Sequence, residues 1–271
     1  MPQSPGIIPY ASNAQLENNF NRFLQIANVT SLAGLRELST EQMIAVNLVA
    51  IWTSAYGTFS VGPSVDGYIL PAMPGKLLLD GNYHHNLTIM VGHNTDEGLL
   101  FIDPLVNTDA AFAPYVSSLF PAATEATVDY IVNELYPASA FPDTIARSAL
   151  MLSEIVFTCY TRWLDLAFNN QTYSYYFNIP PGLHGMDVPY TYYNGPSPSV
   201  VNDTAAIALQ DWIVTFAEDG APSTPDVPGT PYFGIYGANG TVEELNQASI
   251  VRAPDTVIND RCVWWQKTLY V

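Results

Sequence analysis

Two segments of the sequence place an acid or a histidine directly after a run of apolar residues. The segment His-Asn-Thr-Asp-Glu-Gly contains Asp96 and Glu97, and the later segment Pro-Pro-Gly-Leu-His-Gly-Met-Asp contains His184 and Asp187. A carboxylate that orients an imidazole, and an imidazole that takes a proton from a hydroxyl, are the acid and the base of nucleophilic catalysis. By spacing alone, a histidine in a loop is more often structural or exposed than catalytic. The residue types therefore indicate nucleophilic chemistry without assigning it.

Short hydrophobic runs precede both segments and predict the strands that would position them. Residues 87–92 and 173–179 are too uniformly apolar or aromatic for half-exposed strands, so we expect strands buried on both faces of a parallel sheet. In such sheets, reactive groups lie on loops just past the carboxyl ends of the strands. Both segments meet this description, because each follows one of the two runs.

Helices are predicted by apolar stripes and by capping residues. Ser39 and Gln42 form a capping-box pattern at the start of one helix, and Gly220 stands where another should end. Residues 231–237 are rich in proline and glycine and could form an edge strand. Helices flanking two buried strands indicate an α/β fold, but two strands are too few for a complete sheet. The predicted helices cover residues 12–29, 123–136, 143–169, 205–219 and 255–270, together with the helix that starts at residue 39.

The composition narrows the class of protein. Of the 271 residues, 48% are hydrophobic, which is enough for a sizeable core, and we expect residues 1–271 to form a single domain. The formal net charge of −17 disfavours binding to nucleic acids and to anionic lipid surfaces, because both are negatively charged. No apolar run in the sequence reaches the length of a membrane span.

Several features bear on the compartment in which the protein works. Cys159 and Cys262 are an even pair, compatible either with one disulfide in an oxidising compartment or with two buried free thiols. The first residues, Met-Pro-Gln-Ser-Pro, lack the basic and apolar regions of a signal peptide. Features of a secreted protein without this signal are a first indication that upstream sequence is missing. Five Asn-X-Ser/Thr sequons moderately favour a secreted glycoprotein, and their asparagines are Asn28, Asn86, Asn170, Asn202 and Asn239.

Longer stretches around the candidate residues form a series of motifs. Residues 59–71 read Phe-Ser-Val-Gly-Pro-Ser-Val-Asp-Gly-Tyr-Ile-Leu-Pro, and residues 91–101 read Val-Gly-His-Asn-Thr-Asp-Glu-Gly-Leu-Leu-Phe. A third stretch runs from Cys159 through the His-Gly-Met-Asp motif at His184 to the Cys-Val-Trp motif at Cys262. In this order the motifs resemble the type-B carboxylesterases and cholinesterases, an α/β-hydrolase family that includes fungal carboxylesterases and lipases. The resemblance spans essentially the whole chain.

The resemblance implies a partial α/β-hydrolase fold, the C-terminal half of a mostly parallel sheet with flanking helices. It makes Glu97 the acid and His184 the base of a Ser/Glu/His triad, because the family's acid is the second residue of the Asp-Glu pair. Asp96 would then be a solvated or helix-capping carboxylate. The family's disulfide falls on Cys159 and Cys262.

Two further residues have weaker assignments from the same resemblance. Asp187 lies where relatives often carry an acid, so it would either shape the surroundings of the histidine or form an ordinary salt bridge or cap. Phe59 lies near the family's acyl pocket, although a plain core phenylalanine is the simpler interpretation. The implied activity is hydrolysis of a small, neutral or hydrophobic carboxylic ester, without a metal or an organic cofactor. The full-length parent would be secreted.

The sequence departs from the family in one respect that bears directly on activity. It contains no Gly-X-Ser-X-Gly nucleophile motif and no Gly-Gly-Gly oxyanion stretch. We therefore expect this chain alone to be inactive, with the serine in an N-terminal half of the fold that precedes residue 1, as in a truncated gene, a split gene or a fragment. The alternative is a non-catalytic, cholinesterase-like interaction protein, which would have no chemical need for Glu97 or His184.

Overall fold

Helices flank a small mixed sheet in the computed structural model, which describes residues 3–6, 12–54, 56–58, 61–225, 227 and 229–270. None of the helices in these ranges is long and apolar enough to cross a bilayer. The α-helices are α1 (Asn13–Ala27), α2 (Leu32–Arg36), α3 (Thr40–Trp52), α4 (Pro74–Leu79), α5 (Asp109–Leu119), α6 (Glu125–Tyr130), α7 (Thr144–Leu152), α8 (Cys159–Ala167), α9 (Val188–Thr191), α10 (Asp203–Asp219) and α11 (Asp260–Gln266). The strands are β1 (Met90–Asn94), β2 (Tyr173–Asn178), β3 (Thr241–Asn246) and β4 (Ile250–Pro254). Short 3₁₀-helices cover Glu97–Phe101 and Ala138–Ala140, and π-helical turns cover Ile131–Leu135 and Ser153–Thr158.

The strands form one sheet in the order β1-β2-β3-β4. Strands β1, β2 and β3 run parallel, and β4 pairs with β3 in the antiparallel direction. On the other side of β1, Gln3 forms an isolated parallel bridge with Gly92, and the Ser4 amide donates to the Gly92 carbonyl at 2.7 Å. Gln3 and Ser4 therefore lie alongside β1, at the edge of the sheet opposite β4.

Both faces of β2 are covered by helices. Tyr175 and Phe177 are buried in one core together with Trp212 of α10. Ser174 points to the other face, where its hydroxyl donates to the buried carboxylate of Asp165 on α8 at 2.7 Å. The prediction of a strand buried on both faces is confirmed for β2, and it explains why the run is apolar without alternation.

The predicted helix starts and stops agree with the structure where capping residues carry the prediction. Ser39 forms the predicted capping box with Gln42, and Ser12 forms a further one with Gln15 that was not predicted. Helix α10 ends at Gly220, which has a φ of 73°, a left-handed conformation that glycine adopts without strain.

The region predicted as one long helix over residues 143–169 is helical throughout but changes its winding in the middle. Helix α7 passes into the π-helical turn Ser153–Thr158, which passes in turn into α8. A π-helical turn holds more residues per turn than an α-helix, and such turns are frequent at functional sites. The two α-helical halves of this region can therefore present different faces to the rest of the molecule.

The C-terminal helix α11 is fastened to this long helical region. Cys159 and Cys262 are joined in a disulfide, with their Cα atoms 5.1 Å apart, which is the pairing that the family resemblance implies. Arg261 binds the buried carboxylate of Glu154 with two nitrogen–oxygen contacts of 2.7 Å each. Trp163 of α8 donates its indole N–H to the Cys262 carbonyl at 2.8 Å. One covalent bond and several polar contacts thus join the C-terminal helix to neighbouring turns of the long helical region.

Two predictions of local structure were wrong, and two strands were missed. Residues 231–237 do not form an edge strand; Phe233 and Tyr236 are buried in irregular chain, so their apolar character reflects packing against the core. Strands β3 and β4 were not predicted at all. The helix predicted over residues 255–270 is shorter, because β4 ends at Pro254, residues 255–259 form a turn, and Asn259 caps α11.

Candidate active site

The carboxyl end of β1 leads into the 3₁₀-helix whose first residue is Glu97. The Glu97 side chain has no exposed surface. Its Oε1 accepts hydrogen bonds from the Asn94 backbone N–H at 2.7 Å and from the Ser4 hydroxyl at 2.5 Å, while Oε2 lies 2.6 Å from Nδ1 of His184. Three donors therefore satisfy a carboxylate that has no access to water.

His184 lies in the turn that follows β2. Gly182 and Gly185 on either side have φ angles of +64° and +81°, which side chains rarely adopt, so this turn depends on glycine. The rings of Phe157 and Phe101 flank the imidazole, with centroid distances of 4.5 Å and 5.4 Å. The His184 side chain is 36% exposed, and within the described part of the chain its Nε2 makes no hydrogen bond. The imidazole is thus held at Nδ1 and open at Nε2.

Backbone contacts hold the two segments together. The Asp96 N–H donates to the Gly182 carbonyl at 2.8 Å, and Asp96 forms an isolated parallel bridge with Leu183. Asp96 itself is exposed, so it joins the segments through its main chain. Of the two adjacent acids, Glu97 is the one whose carboxylate meets the imidazole of His184.

Asp187 lies next to this pair but does not bind the imidazole. One of its carboxylate oxygens accepts from the Asn94 side chain and the other from the Gln3 side chain, each at 3.3 Å. Asn94 also donates its backbone N–H to Glu97, so it connects the two carboxylates. Asp187 precedes α9 without a side-chain capping bond. Its surroundings are those of a buried, hydrogen-bonded carboxylate next to the histidine.

The 3₁₀-helix that carries Glu97 packs at contact distance on the long helical region. The Gly98 N–H donates to the Ser153 hydroxyl at 2.7 Å. A Cβ at position 98 would lie 2.3 Å from the Ala149 carbonyl oxygen and 2.5 Å from the Ser153 nitrogen, so any larger residue would push the two elements apart. Sequence reasoning assigned no role to Ser153, Asn94 or Ser4, although Ser4 lies in a stretch that resembles the family.

Burial and hydrogen bonding act in opposite directions on the charges of the pair. Burial alone would raise the pKa of Glu97, but hydrogen bonds from His184, Ser4 and Asn94 outweigh it, so the pKa lies below its usual value of 4.5. The hydrogen bond to Glu97 raises the pKa of His184 above 6.5, against the effect of its own burial. For Asp187, burial raises the pKa and the bond from Asn94 opposes the shift. The pair therefore favours a carboxylate beside an imidazolium.

This arrangement can move one proton. A carboxylate on Nδ1 fixes the imidazole so that the other nitrogen, Nε2, can accept a proton from a hydroxyl brought to it. The Glu97 charge then stabilises the imidazolium that forms. Within the described residues, no group of three His, Cys, Asp or Glu side chains is placed to hold a metal ion.

The remaining residues singled out in the sequence lie in different surroundings. Phe59 falls outside the described residues. Asn202 is partly buried and caps α10 through its side chain, which also donates to the Asn246 carbonyl at 3.1 Å, and Asn170 is partly buried as well. The sequon asparagines that are exposed to solvent are Asn28, Asn86 and Asn239.

Comparison with known proteins places the chain in the carboxylesterase family. The sequence model of the carboxylesterase family matches residues 6–247. Carboxylesterase patB of Aspergillus clavatus is 31% identical over 274 aligned residues, which cover 98% of this chain and 48% of that protein. This chain therefore spans about half the length of that relative. An inactive carboxylesterase-like protein, VdtD of Byssochlamys spectabilis, is 34% identical over 79 residues, or 29% of this chain and 14% of VdtD.

The fold has a counterpart among solved structures. The crystal structure of EstA from Aspergillus niger superposes with a TM-score of 0.79 at 18% sequence identity, and the match covers 98% of this chain and 57% of EstA. At this identity the likeness concerns the fold. A mixed sheet with flanking helices, matched over nearly the whole chain, agrees with part of a larger α/β-hydrolase domain.

Proposed function

Because the chain belongs to the carboxylesterase family and has part of the α/β-hydrolase fold, we propose that it supplies the acid and the base of a carboxylic ester hydrolase. The observation that carries this proposal is the 2.6 Å contact between Glu97 Oε2 and His184 Nδ1, formed at the carboxyl ends of two parallel strands. Residues 87 positions apart in sequence meet there with the geometry that nucleophilic catalysis requires.

In the proposed reaction, His184 acts first as a base and then as an acid. Its Nε2 takes the proton of a serine hydroxyl as the serine oxygen attacks the ester carbonyl, and the same proton then passes to the departing alkoxide. Water then attacks the carbonyl of the acyl-enzyme. His184 takes a proton from this water and passes it to the serine oxygen as the carboxylic acid is released. Glu97 keeps Nδ1 protonated and stabilises the imidazolium in each step. Asp187 supports Glu97 indirectly, by holding Asn94.

The serine of this reaction is proposed to come from sequence outside these 271 residues. The chain has no Gly-X-Ser-X-Gly motif, and its patB relative is about twice as long as the aligned region. Residues Gln3 and Ser4 leave an edge of the sheet next to β1, where further strands of the same sheet could pair. We propose that the missing strands and the serine occupy that side.

The proposed substrate is a small, neutral or hydrophobic carboxylic ester. The rings of Phe101 and Phe157 border the imidazole, and such apolar walls suit an uncharged substrate better than an ionic one. We also propose that the full-length protein is secreted, because the structure contains a disulfide and three sequons are exposed.

A second candidate function is a non-catalytic binding protein. The match to the inactive carboxylesterase-like protein VdtD favours it, although that match covers only 29% of the chain. The retained contact between Glu97 and His184 favours the enzyme, because a binding protein has no need for a charge-paired, half-exposed imidazole.

The first test uses the chain as it stands. Purified residues 1–271 should hydrolyse p-nitrophenyl butyrate only at the background rate, and His184→Ala should leave that rate unchanged. Turnover that His184→Ala abolishes would overturn the proposed origin of the nucleophile and would require one within these residues.

The second test uses the longest transcript. Its 5′ end should encode an in-frame Gly-X-Ser-X-Gly motif, and the encoded protein should hydrolyse the same ester. His184→Gln and Glu97→Gln should each lower kcat by about three to four orders of magnitude. Asp96→Asn, at the neighbouring exposed acid, should retain activity. A full-length protein without the motif, or one that His184→Gln leaves active, would favour the binding protein.

A further inference from the structure

The π-helical turn Ser153–Thr158 lies next to both members of the acid–histidine pair. At its start, Ser153 accepts a hydrogen bond from Gly98, the residue after Glu97. Near its end, Phe157 lies with its ring centroid 4.5 Å from that of His184, at an interplanar angle of 32°. One six-residue segment thus contacts the element that carries the acid and the ring of the base.

The rings of Phe157 and His184 are in contact and tilted by 32° relative to each other. Phe157 is itself buried, with 8% of its surface exposed, so its ring is held in place by its surroundings. Phe101 meets the same imidazole edge-on at 5.4 Å, and the two phenylalanines are 5.5 Å apart. The imidazole therefore stands against two rings, one of which presents its face.

The turn is anchored on its far side. Glu154 directs its carboxylate away from the pair, to Arg261 and Asn259 of the C-terminal region. The next residue after the turn, Cys159, is bonded to Cys262. A segment fixed in this way can impose a position on a neighbour that has only one hydrogen bond of its own.

We propose that the π-helical turn Ser153–Thr158 positions the imidazole of His184, and that Phe157 is the positioning residue that holds this ring on Glu97 and supports its charged form. The inference rests on the proposed function, because it assigns a role toward the base of that reaction. Two physical effects act together. The close ring contact restricts rotation of the imidazole, and the negative face of the phenyl ring attracts the imidazolium.

Among the described residues, the charged groups that face His184 are two acids. Glu97 faces it from the 3₁₀-helix and Asp187 from its own turn, and both stabilise the imidazolium. The π-helical turn contributes only the uncharged ring of Phe157 at this point, since Glu154 is engaged elsewhere. A change at position 157 therefore alters the contact with the ring without altering the charge around it.

The test is a titration of His184 by NMR in the chain and its variants. The chain has four histidines, so His184→Gln identifies the signal of interest. In Phe157→Leu, which keeps the apolar volume but loses the aromatic face, the pKa of His184 should fall toward its ordinary value of 6.5. The deshielded Nδ1 proton shared with Glu97 should weaken or disappear. Phe157→Tyr, which keeps the ring, should restore both signals.

Phe141→Leu is the matched control, because Phe141 packs against Tyr136, whereas the described ring contacts of His184 are with Phe101 and Phe157. It removes a ring of the same size without touching the pair. The proposal is overturned if Phe157→Leu moves the His184 titration no further than Phe141→Leu does, or if Phe157→Tyr behaves like Phe157→Leu.

A kinetic measurement covers the case in which a variant of the isolated chain does not fold. In the protein encoded by the longest transcript, Phe157→Leu should shift the acidic limb of the kcat/KM profile to lower pH and lower kcat more than it raises KM. An unshifted profile contradicts the role of Phe157 while leaving the esterase proposal intact. Absence of esterase activity in that protein contradicts the proposed function, and the titration then decides the inference separately.

Discussion

The two members of the acid–histidine pair are held by different kinds of force. Glu97 has no exposed surface and accepts three hydrogen bonds, one from each of three separate parts of the chain. Within the described residues, the His184 side chain is 36% exposed, makes one hydrogen bond and packs against the rings of Phe157 and Phe101.

This difference follows from what each group has to do. A buried carboxylate must have its lone pairs satisfied, because an unpaired charge away from water is costly. An imidazole that exchanges protons must leave one nitrogen free, so its position has to come from contacts that do not occupy Nε2. Aromatic rings provide such contacts. Hydrogen bonds thus hold the acid in place, whereas packing against aromatic rings does much of this for the base.

The largest effect on stability is expected from removing the disulfide. Its Cys159 directly follows the π-helical turn that packs against the histidine. Cys159 and Cys262 are 103 residues apart in sequence, and loss of such a bridge lowers the free energy of unfolding by about 2–5 kcal/mol. The double variant Cys159→Ala/Cys262→Ala, followed by urea denaturation, measures this change.

A reductant should lower the unfolding midpoint of the unmodified chain and leave that of the double variant unchanged. In NMR spectra of the double variant, the signals of Phe157 and His184 should move more than those of Ser4 and Asn94. An unfolding midpoint insensitive to reductant would mean that the bridge does not form in solution. Equal movement of both groups of signals would contradict a disulfide that supports mainly the histidine side.

Glu97→Gln is the next most severe change, because it removes the charge that three donors surround. Loss of hydrogen bonds to a buried charged group is expected to lower the free energy of unfolding by about 2–3 kcal/mol. The pKa of His184 should fall, since the bond to Glu97 is the main cause of its elevation. Asp96→Asn is the control, and as an exposed position it should change stability by at most about 0.5 kcal/mol. Similar effects of both substitutions would contradict the assignment of the acid.

Ser4→Ala removes one of the three donors and leaves the charge in place. The expected loss is about 1.5 kcal/mol of unfolding free energy, the value of one hydrogen bond to a charged group. The pKa of Glu97 should rise, since this bond helps to lower it. Ser117→Ala is the matched control, because that exposed serine bonds only within its own helix. If Ser4→Ala left the free energy of unfolding unchanged, two donors would suffice for the carboxylate of Glu97.

The smallest effect concerns the dependence of stability on pH. The pKa of Glu97 is lowered in the folded protein, so its contribution is present above 4.5 and is lost as the pH falls through the folded value. The pKa of His184 is raised, so its contribution is full below 6.5 and is lost as the pH rises through the folded value. The stability lost in His184→Gln should therefore be greatest between pH 4.5 and 6.5. A loss that is constant from pH 4 to 9 in urea denaturation would contradict the ion pair.

Much of the fold could be predicted where one physical cause dominates the pattern. The uniform run that became β2 and the serine cap of α3 are such cases. Strand β3 was missed because its polar residues hide the pattern, and Glu243 is buried there opposite Arg252 of β4, 3.1 Å away. Such a strand looks exposed in sequence until its partner is known. The segment over residues 231–237 misled in the opposite way, because its buried rings pack without a ladder of backbone bonds.

The candidate site shows the same limit. Glu97 and His184 were singled out by residue type and position after a strand, and the family resemblance gave them roles, but no local pattern indicates that they touch. Ser4, Ser153 and Phe157 carry no signal of their own, since a serine or a phenylalanine is ordinary in any core. Their importance arises only when distant segments meet, which is a property of the tertiary structure.

The π-helical turn has a consequence for how this region tolerates changes in length. A π-helical turn is an α-helix with one residue too many, and each residue of an α-helix rotates the chain by about 100°. Deleting one residue from Ser153–Thr158 would restore regular winding and put α7 and α8 out of phase by that angle. With Ala149 of α7 packed against Gly98, Phe157 would move off the imidazole and Cys159 away from its partner. The extra residue therefore sets the rotation between α7 and α8, so that one helical region can contact the acid's element and the base and also carry the disulfide.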